Sequence, residues 1–379
     1  MAIEAGADSS GDRRLEINAM RAALALARRG LGAVWPNPSV GCVIVNDGRV
    51  VGRGWTQPGG RPHGETEALR RAGEAARGAV AHVSLEPCCH WGQTPPCVDA
   101  LIAAGVRRVV VALEDPDPRV AGEGLRRLRA AGLDVEVGLC TEEAAEVNAG
   151  FLSRLRLGRP LVTFKLATSL DGRIAVATGE SQWITGPPAR DRAHALRASH
   201  DAIMVGTGTV VADDPQLTCR LPGLGHRSPV RVVIDRHLRI SPASRIIADA
   251  PRVPTWVLTL RSADPGRRAM FLANRVTLID VDDDAEGQID LAAALGALGE
   301  RGITRLLVEG GARLAAAFFR ARLIDRLVWV HAPLVIGGDG IPAIAGFDLA
   351  ALADGRAFER LSTETIGDDV LTTFRVRPI

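Results

Sequence analysis

Apolar positions along the chain switch repeatedly between a helical period and the two-residue period of strands. Residues 13–29 carry them at helical spacing, and "VGCVIVNDGRVVGRGW" (40–55) is two β-rich runs around Asp47-Gly48, a hairpin signal. A helix over 65–75 follows, then the strand "AVAHVSL" (79–85). The spacing next predicts a helix in "TPPCVDALIAAG", with Thr94 as N-cap and proline in its first turn. Strand "RRVVVAL", helix "GEGLRRLRAAG" and strand "LDVEVGL" complete a first half that reads as a three-layer α/β sandwich.

At "RLRLGRP" (154–160) the apolar period lapses and the charge turns basic, so the domain junction is expected there, dividing the chain into 1–150 and 151–379. Beyond it the strand "PLVTFKLAT", a helix over 187–199 and the strands "DAIMVG" and "PVRVVID" open a second α/β pattern. "PTWVLTL", "RVTLIDV", a helix over 289–301, "TRLLVEGG", a helix from Ala312 and the strand "DRLVWVHAPLVIG" continue it. A chain of 379 residues is long for one domain, which agrees with two. No repeat or heptad links the halves, so two activities, or one activity and a regulatory module, are expected.

Composition narrows the functional classes. With 46 basic and 44 acidic residues the formal charge is +2, so no electrostatic footprint argues for nucleic acid or an anionic membrane. The first dozen residues lack the apolar core of a signal peptide and are expected to be a mobile tail; no apolar run approaches a membrane span. A cytoplasmic, reducing location is the expectation, where clustered cysteines mean metal or catalysis more often than disulfides. Lys165 is the only lysine and tyrosine is absent. Arginine-rich codon usage accounts for the bias, yet it leaves Lys165 as a position where a compact charge with a tunable pKa is required.

Three of six cysteines fall in "EPCCHWGQTPPC" (86–97), downstream of "PHGETEAL" (62–69). His63, Cys88 and Cys97 form an H-x-E … P-C-x8-C pattern. One neutral imidazole and two thiolates balance a Zn²⁺ charge and leave one tetrahedral position for water. Glu65 is placed as proton shuttle, the division of labour of zinc nucleobase deaminases as a class. A structural site with Cys89 or His90 as fourth ligand, or a disulfide, would be the alternatives. Cys89 is expected to point away and Cys42 to be a small core residue.

"WPNPSVGCVIV", "PHGETEAL", "LEPCCHWGQTPPC" and "EDPDPRVAGEGLRRLRAAG" resemble the deaminase half of the bifunctional riboflavin-biosynthesis deaminase/reductases, including the long loop between the cysteines. The resemblance implies a cytidine-deaminase-like domain holding one zinc, with His63, Cys88 and Cys97 as ligands, Glu65 as proton donor and Asn37 touching the substrate. Its reaction would be hydrolytic loss of the 2-amino group from a diaminopyrimidinone carrying a ribosyl 5-phosphate. His-Gly-Glu replaces the more usual His-Ala-Glu, which keeps both functional side chains.

The second half has no usable G-x-G-x-x-G, because Pro342 interrupts the nearest string, and without tyrosine a tyrosine–lysine reductase is excluded. "VEGGARLAAAF" (308–318) reads as strand, two glycines and helix: a phosphate site at a helix start, or simply a tight turn. "FKLATSLDGRIA", "GESQWITG", "VGTGTVVADDPQLTCR" and "LLVEGGARL" resemble the reductase half of the same family, which implies a dihydrofolate-reductase-like domain using NADPH. By position, Ala167, Trp183, Thr209, Asp213 and the turn Gly311, Ala312, Arg313, Leu314, Ala315, Ala316 and Ala317 would hold the cofactor. Ser181, Arg197, Leu217, Arg220 and Glu309 would meet the substrate, the two arginines clamping its phosphate with their planar forks. Lys165 either sits on the sheet beside the substrate, in a catalytic role, or is an edge charge. The expected partner is a small phosphoribosylaminopyrimidine, not nucleic acid or membrane, and the expected assembly is a homo-oligomer (dimer or tetramer). The competing reading is a nucleoside or tRNA deaminase with an accessory reductase-like module.

Overall fold

The computed structural model describes residues 9–377, with side chains from 13 onward. Contacts divide the chain into Met1–Arg156 and Leu157–Ile379. Among the described residues no helix is long and apolar enough to cross a membrane.

The first unit runs α1 (Ser9–Arg28), β1 (Gly41–Asn46), β2 (Arg49–Trp55), α2 (Gly64–Ala72), β3 (Val80–Val83), α3 (Cys97–Ala103), β4 (Arg108–Val111), α4 (Glu123–Ala130), β5 (Asp134–Val137), α5 (Thr141–Val147) and α6 (Ala149–Leu157). Its sheet has the order β2-β1-β3-β4-β5, antiparallel on both sides of β1 and parallel from β3 to β5. Alternate side chains point to opposite faces of a strand, and here both faces are covered. Cys42, Ile44, Ala81, Val83, Val109 and Val111 pack against Ala68 of α2, Leu101 of α3, Leu128 of α4 and Phe151 of α6. Val43 and Val110 pack against Met20 and Leu24 of α1 and Val147 of α5. The result is the expected three-layer sandwich, each fully buried aliphatic side chain contributing roughly 1.5–3 kcal/mol.

The second unit continues with β6 (Leu161–Thr168), β7 (Arg173–Ala175), α7 (Pro187–Ala198), β8 (Ala202–Gly206), α8 (Thr207–Asp213), β9 (Val230–Ile234), α9 (Arg245–Ala248), β10 (Thr255–Thr259) and α10 (Pro265–Ala273). Then come β11 (Thr277–Asp280), α11 (Leu291–Glu300), β12 (Arg305–Val308), α12 (Ala312–Arg320), β13 (Arg326–His331), β14 (Ile341–Pro342), β15 (Phe358–Ile366) and β16 (Asp369–Val376). The main sheet has the order β11-β10-β9-β8-β12-β6-β13-β16-β15. It is parallel as far as β13 and antiparallel beyond. Ile203, Val205, Val233, Val257 and Leu307 line one face with Ile246 and Phe271 beneath them. Buried Asp201 fixes the register of β8 on β12: one carboxylate oxygen accepts from Thr304 N–H and Oγ1 (both 2.7 Å) and Arg305 N–H (2.9 Å).

Four local expectations are corrected. The stretch 154–160 is helical in its first four residues, because α6 runs through Leu157 after burying Phe151 and Leu152, and only 158–160 lie outside an element. Thr94 does not cap α3: Pro96 precedes the first helical residue, Cys97, and Thr94 Oγ1 accepts from Arg61 instead. Ser9–Arg28 is helical, so the supposed tail is helix from Ser9, and residues 1–8 lie outside the described residues. The strand expected over 325–337 ends at His331, after which the Asp171 carboxylate receives the N–H groups of Ile336 (3.1 Å) and Gly337 (2.7 Å).

The sandwich needs β1 to lie backbone against α1: a Cβ on Gly41 would sit 1.9 Å from the Ala23 carbonyl oxygen and 2.8 Å from Ala27 N. Gly41→Ala should therefore cost about 3 kcal/mol of stability, the upper range for overpacking. Urea unfolding followed on the first unit checks this; a loss under about 0.5 kcal/mol would mean the two backbones separate easily.

Candidate functional site

The first site forms where two helices begin. His63 precedes α2 and Glu65 lies in its first turn; Cys97 opens α3, whose start faces the loop after β3 that carries Cys88. The Cys97 N–H points to Cys88 Sγ (3.4 Å) and the Val98 N–H to the Cys88 carbonyl (3.2 Å), so the helix start orients one sulfur while supplying the other. His63 Nδ1 lies 3.5 Å from Cys88 Sγ and 3.3 Å from Cys97 Sγ. Tetrahedral zinc with its usual bond lengths sets nitrogen and sulfur ligands about 3.5 Å apart, so the donor set fits the ion.

Electrostatics point the same way. Hydrogen bonding from the Cys97 side chain, helped by His63 and the Cys97 N–H against the cost of burial, pushes the Cys88 thiol down to about 4. Cys97, the donor in that bond and buried, moves well up. Burial raises Glu65 to about 7, with His63 opposing. Its Oε2 is buried without a hydrogen-bond partner, the state of a carboxylate that awaits a ligand. Cys89 turns away, its Sγ contacting the Arg119 carbonyl (3.5 Å), and among the described residues the cluster consists of His63, Cys88 and Cys97. All six cysteines are free.

Behind Cys88, the buried Glu86 carboxylate collects the N–H groups of Asp115 (3.2 Å), Gly122 (3.0 Å) and Leu125 (3.2 Å), tying the 114–125 loop to the end of β3. Asn37 Nδ2 donates to the Gly60 carbonyl (3.0 Å), in the turn that leads to His63. Arg61 Nη1 lies 3.2 Å from His63 Nε2 and donates to Thr94 Oγ1 (2.7 Å), so it joins the metal loop to the ligand histidine. The sequence reading missed that role, although Arg61 stands only two residues before the ligand.

The second site is a cavity of about 410 Å³ on the main sheet of the second unit. Seven expected residues line it: Lys165, Ala167, Ser181, Trp183, Arg197, Arg220 and Glu309. They converge because β6 and β12 are adjacent parallel strands and α7 supplies Arg197. Glu309 Oε1 and Oε2 accept from Arg197 Nε and Nη2, both at 2.9 Å, and Arg197 Nη1 donates to the Thr218 carbonyl (3.1 Å). The expected two-arginine clamp is thus altered: the Arg197 fork is occupied by Glu309, while the Arg220 side chain has no hydrogen-bond partner among the described residues. Burial alone would raise Glu309, but the Arg197 charge and hydrogen bonds, with Lys165, bring it down to about 2. Burial lowers Lys165, against the pull of Glu309.

Thr209, Asp213, Leu217 and the 311–317 turn lie outside this cavity. Leu217 packs into the core beside Val205 and Val233. A Cβ on Gly311 would stand 4.0 Å from Thr209 Oγ1, so the start of α12 lies beside the first turn of α8 without crowding it. Backbone N–H groups at helix starts suit phosphate there. Ala315 and Ala316 are buried against the sheet, leaving the front of the turn as the approachable part. His194, Arg190 and Asp191 also line the cavity and were missed. For His194 a signal existed, since it precedes Arg197 by three residues on one helical face.

Comparison with known proteins covers both units. Residues 14–113 match the cytidine and deoxycytidylate deaminase zinc-binding region, and 160–372 match the RibD C-terminal domain. The riboflavin biosynthesis protein RibD of Escherichia coli is 45% identical over 364 residues, covering 93% of this chain and 96% of the relative. Its Aquifex aeolicus counterpart is 38% identical over 363 residues, covering 96% and 99%. A structure of Acinetobacter baumannii RibD superposes with a TM-score of 0.87 at 37% identity, covering 97% of this chain and 100% of that one. A Thermotoga maritima diaminohydroxyphosphoribosylaminopyrimidine deaminase/5-amino-6-(5-phosphoribosylamino)uracil reductase superposes at 0.85 with 33% identity and the same coverage.

The Arg197–Glu309 pair carries its own pH signature. Glu309 moves from an ordinary 4.5 to about 2 on folding, so its contribution is complete above pH 4.5 and is lost as pH falls toward 2. Glu309→Gln should destabilise the second unit by about 3 kcal/mol at pH 7, and its deficit relative to wild type should shrink between pH 4.5 and 3. Urea unfolding across that range checks it; a pH-independent deficit would remove the charge pairing as the cause.

Proposed function

Because the chain belongs to the RibD family of bifunctional deaminase/reductases of riboflavin biosynthesis, we propose residue roles at its two sites that follow from their geometry. The chain removes an amino group from a diaminopyrimidinone bearing a ribosyl phosphate and reduces the ribosyl group to ribityl, through a zinc-binding deaminase domain and an NADPH-dependent reductase domain. The relatives match across both units, so the second is no accessory to a nucleoside or tRNA deaminase.

In the first unit, His63, Cys88 and Cys97 hold one zinc. The ion, when bound, supplies Lewis acidity and makes a water in its open position more acidic. Glu65 moves the protons: a carboxyl raised to about 7 takes the two protons of the attacking water in turn, passing the first to the ring nitrogen and the second to the departing amine. The observation that carries this reading is the unpartnered, buried Glu65 Oε2 two residues from the ligand histidine. Asn37, held on the Gly60 turn, is a substrate contact.

In the second unit, Lys165, Arg197, Arg220, Glu309, Ser181 and the backbone at Leu217 receive the phosphoribosyl substrate. Ala167, Trp183, Thr209, Asp213 and residues 311–317 receive NADPH, which when bound supplies the hydride. Glu309 orients the Lys165 ammonium and the Arg197 fork, leaving Arg220 to meet the phosphate. We place the enzyme in the cytoplasm as a homo-oligomer. Support for an assembly face comes from Leu170, Leu334 and Val335, apolar and exposed, the first two joined by the Leu170 N–H to Leu334 carbonyl bond (2.8 Å).

Two measurements test these roles. Glu65→Gln should retain zinc by metal analysis and lose ammonia release by about 10²–10⁴-fold; turnover within about tenfold of wild type would take the proton-transfer role from Glu65. Lys165→Arg should slow reduction by about tenfold or more, because a planar fork cannot replace a point charge, while ammonia release stays at the wild-type rate. Unchanged reduction kinetics would make Lys165 a structural charge.

A further inference from the structure

Arg231 on β9 is wholly buried and heads the fully buried side chains by volume. No carboxylate among the described residues forms a salt bridge with it; the Asp249 charge acts on it only from beyond hydrogen-bond reach. Its guanidinium donates instead to neutral acceptors: Nη2 to the Val253 carbonyl (3.0 Å) and Thr255 Oγ1 (2.7 Å), and Nη1 to the Gln216 carbonyl (3.3 Å). Nε has no partner. A buried cation without an acid is expensive, and an apolar side chain of similar volume would serve the core at lower cost. What the arginine holds therefore matters.

Two of its acceptors, Val253 and Thr255, belong to the sheet and the turn leading into β10. The third, Gln216, opens the segment that leads to Arg220, which lines the reductase cavity. Leu217, next in line, is buried in the core with φ +55, a left-handed conformation that strains any residue with a side chain. Thr218 follows, its carbonyl receiving Arg197 Nη1 (3.1 Å) and standing 3.1 Å from His194 Nδ1. The Cys219 N–H donates to Ser228 Oγ (3.1 Å), and Arg220 then enters the cavity. A strained residue persists only where its neighbours over-determine it. Arg231 supplies one fixed point on the near side of Leu217, and Arg197 and Ser228 supply the others beyond it.

We propose that Arg231 is a positioning residue for the substrate end of the reductase cavity, clamping the Gln216 carbonyl and thereby setting where Thr218 and Arg220 stand. It touches neither substrate nor cofactor and acts through the 216–220 segment. The inference rests on the reading that Arg220 meets the substrate phosphate.

The test uses the full-length enzyme with the phosphorylated uracil substrate, measuring reductase KM and kcat and, separately, NADPH affinity by fluorescence. Arg231→Met should raise KM by about tenfold or more with kcat and NADPH affinity within about threefold, the pattern of misplaced substrate contacts. Arg231→Lys, which keeps the charge but cannot span three acceptors, should give an intermediate KM, and it decides the matter if the methionine variant does not fold. A KM within about twofold of wild type in a folded variant overturns the proposal, as does NADPH affinity weakening in step with KM, which would mean general loss of structure. Arg220→Ala runs in parallel. If it leaves KM unchanged, the phosphate reading fails and the proposal falls with it; if it raises KM while the Arg231 variants do not, only the proposal falls.

Discussion

Taking a charge out of water costs several kcal/mol unless an opposite charge or a set of hydrogen-bond donors meets it within a few ångströms, and this constraint organises both units. In the first, an imidazole nitrogen stands 3.3–3.5 Å from two sulfurs in a largely buried place. Such a group is stable only with a cation among its members or with protons shared between them. Helix starts at α2 and α3 help, since their free N–H groups favour negative sulfur. Glu65, buried beside them, meets the same constraint differently: lacking a donor for Oε2, it holds its proton to near neutrality. The burial that crowds the cluster thus also raises the neighbouring carboxyl.

In the second unit the same constraint produces a salt bridge. Glu309 directly follows β12 and Arg197 lies on α7, more than a hundred residues earlier, yet both hydrogen bonds between them are 2.9 Å. Lys165, one strand over on β6, shares the carboxylate's field. A lone carboxylate or a lone lysine at these positions would be pushed toward its neutral form. Together they oppose that push: Glu309 works against the lowering that burial imposes on Lys165, and Arg197 and Lys165 hold Glu309 down.

These pairings mark where the sequence could be read and where it could not. The His63–Cys88–Cys97 set was legible because His63 and Cys97 stand at helix starts, Cys88 follows in the loop after β3, and local spacing delivers all three. The sandwich was legible for the same reason: residues such as Cys42 and Val43 alternate faces in a way that period alone reveals. The Arg197–Glu309 pair was not, because no local pattern joins residues so distant, and both were therefore read as separate substrate contacts. The hairpin β15–β16 escaped because its edge strand turns mostly polar residues outward, so it lacks the apolar alternation of a buried strand. Helix α6 was hidden by its basic last turn, where Arg154 and Arg156 obscure the burial of Phe151 and Leu152.

The charges that remain around the cavity say what it can hold. Lys165, Arg197 and Arg220 stand against a single Glu309 carboxylate, and Arg190 with Asp191 adds a balanced pair. Two positive charges are left over in an otherwise nearly neutral chain. A phosphate monoester carries close to two negative charges near pH 7, so an ester of that kind would neutralise the surplus, which an uncharged sugar would not. The side-chain accounting thus favours a phosphorylated substrate over its free nucleoside on electrostatic grounds alone.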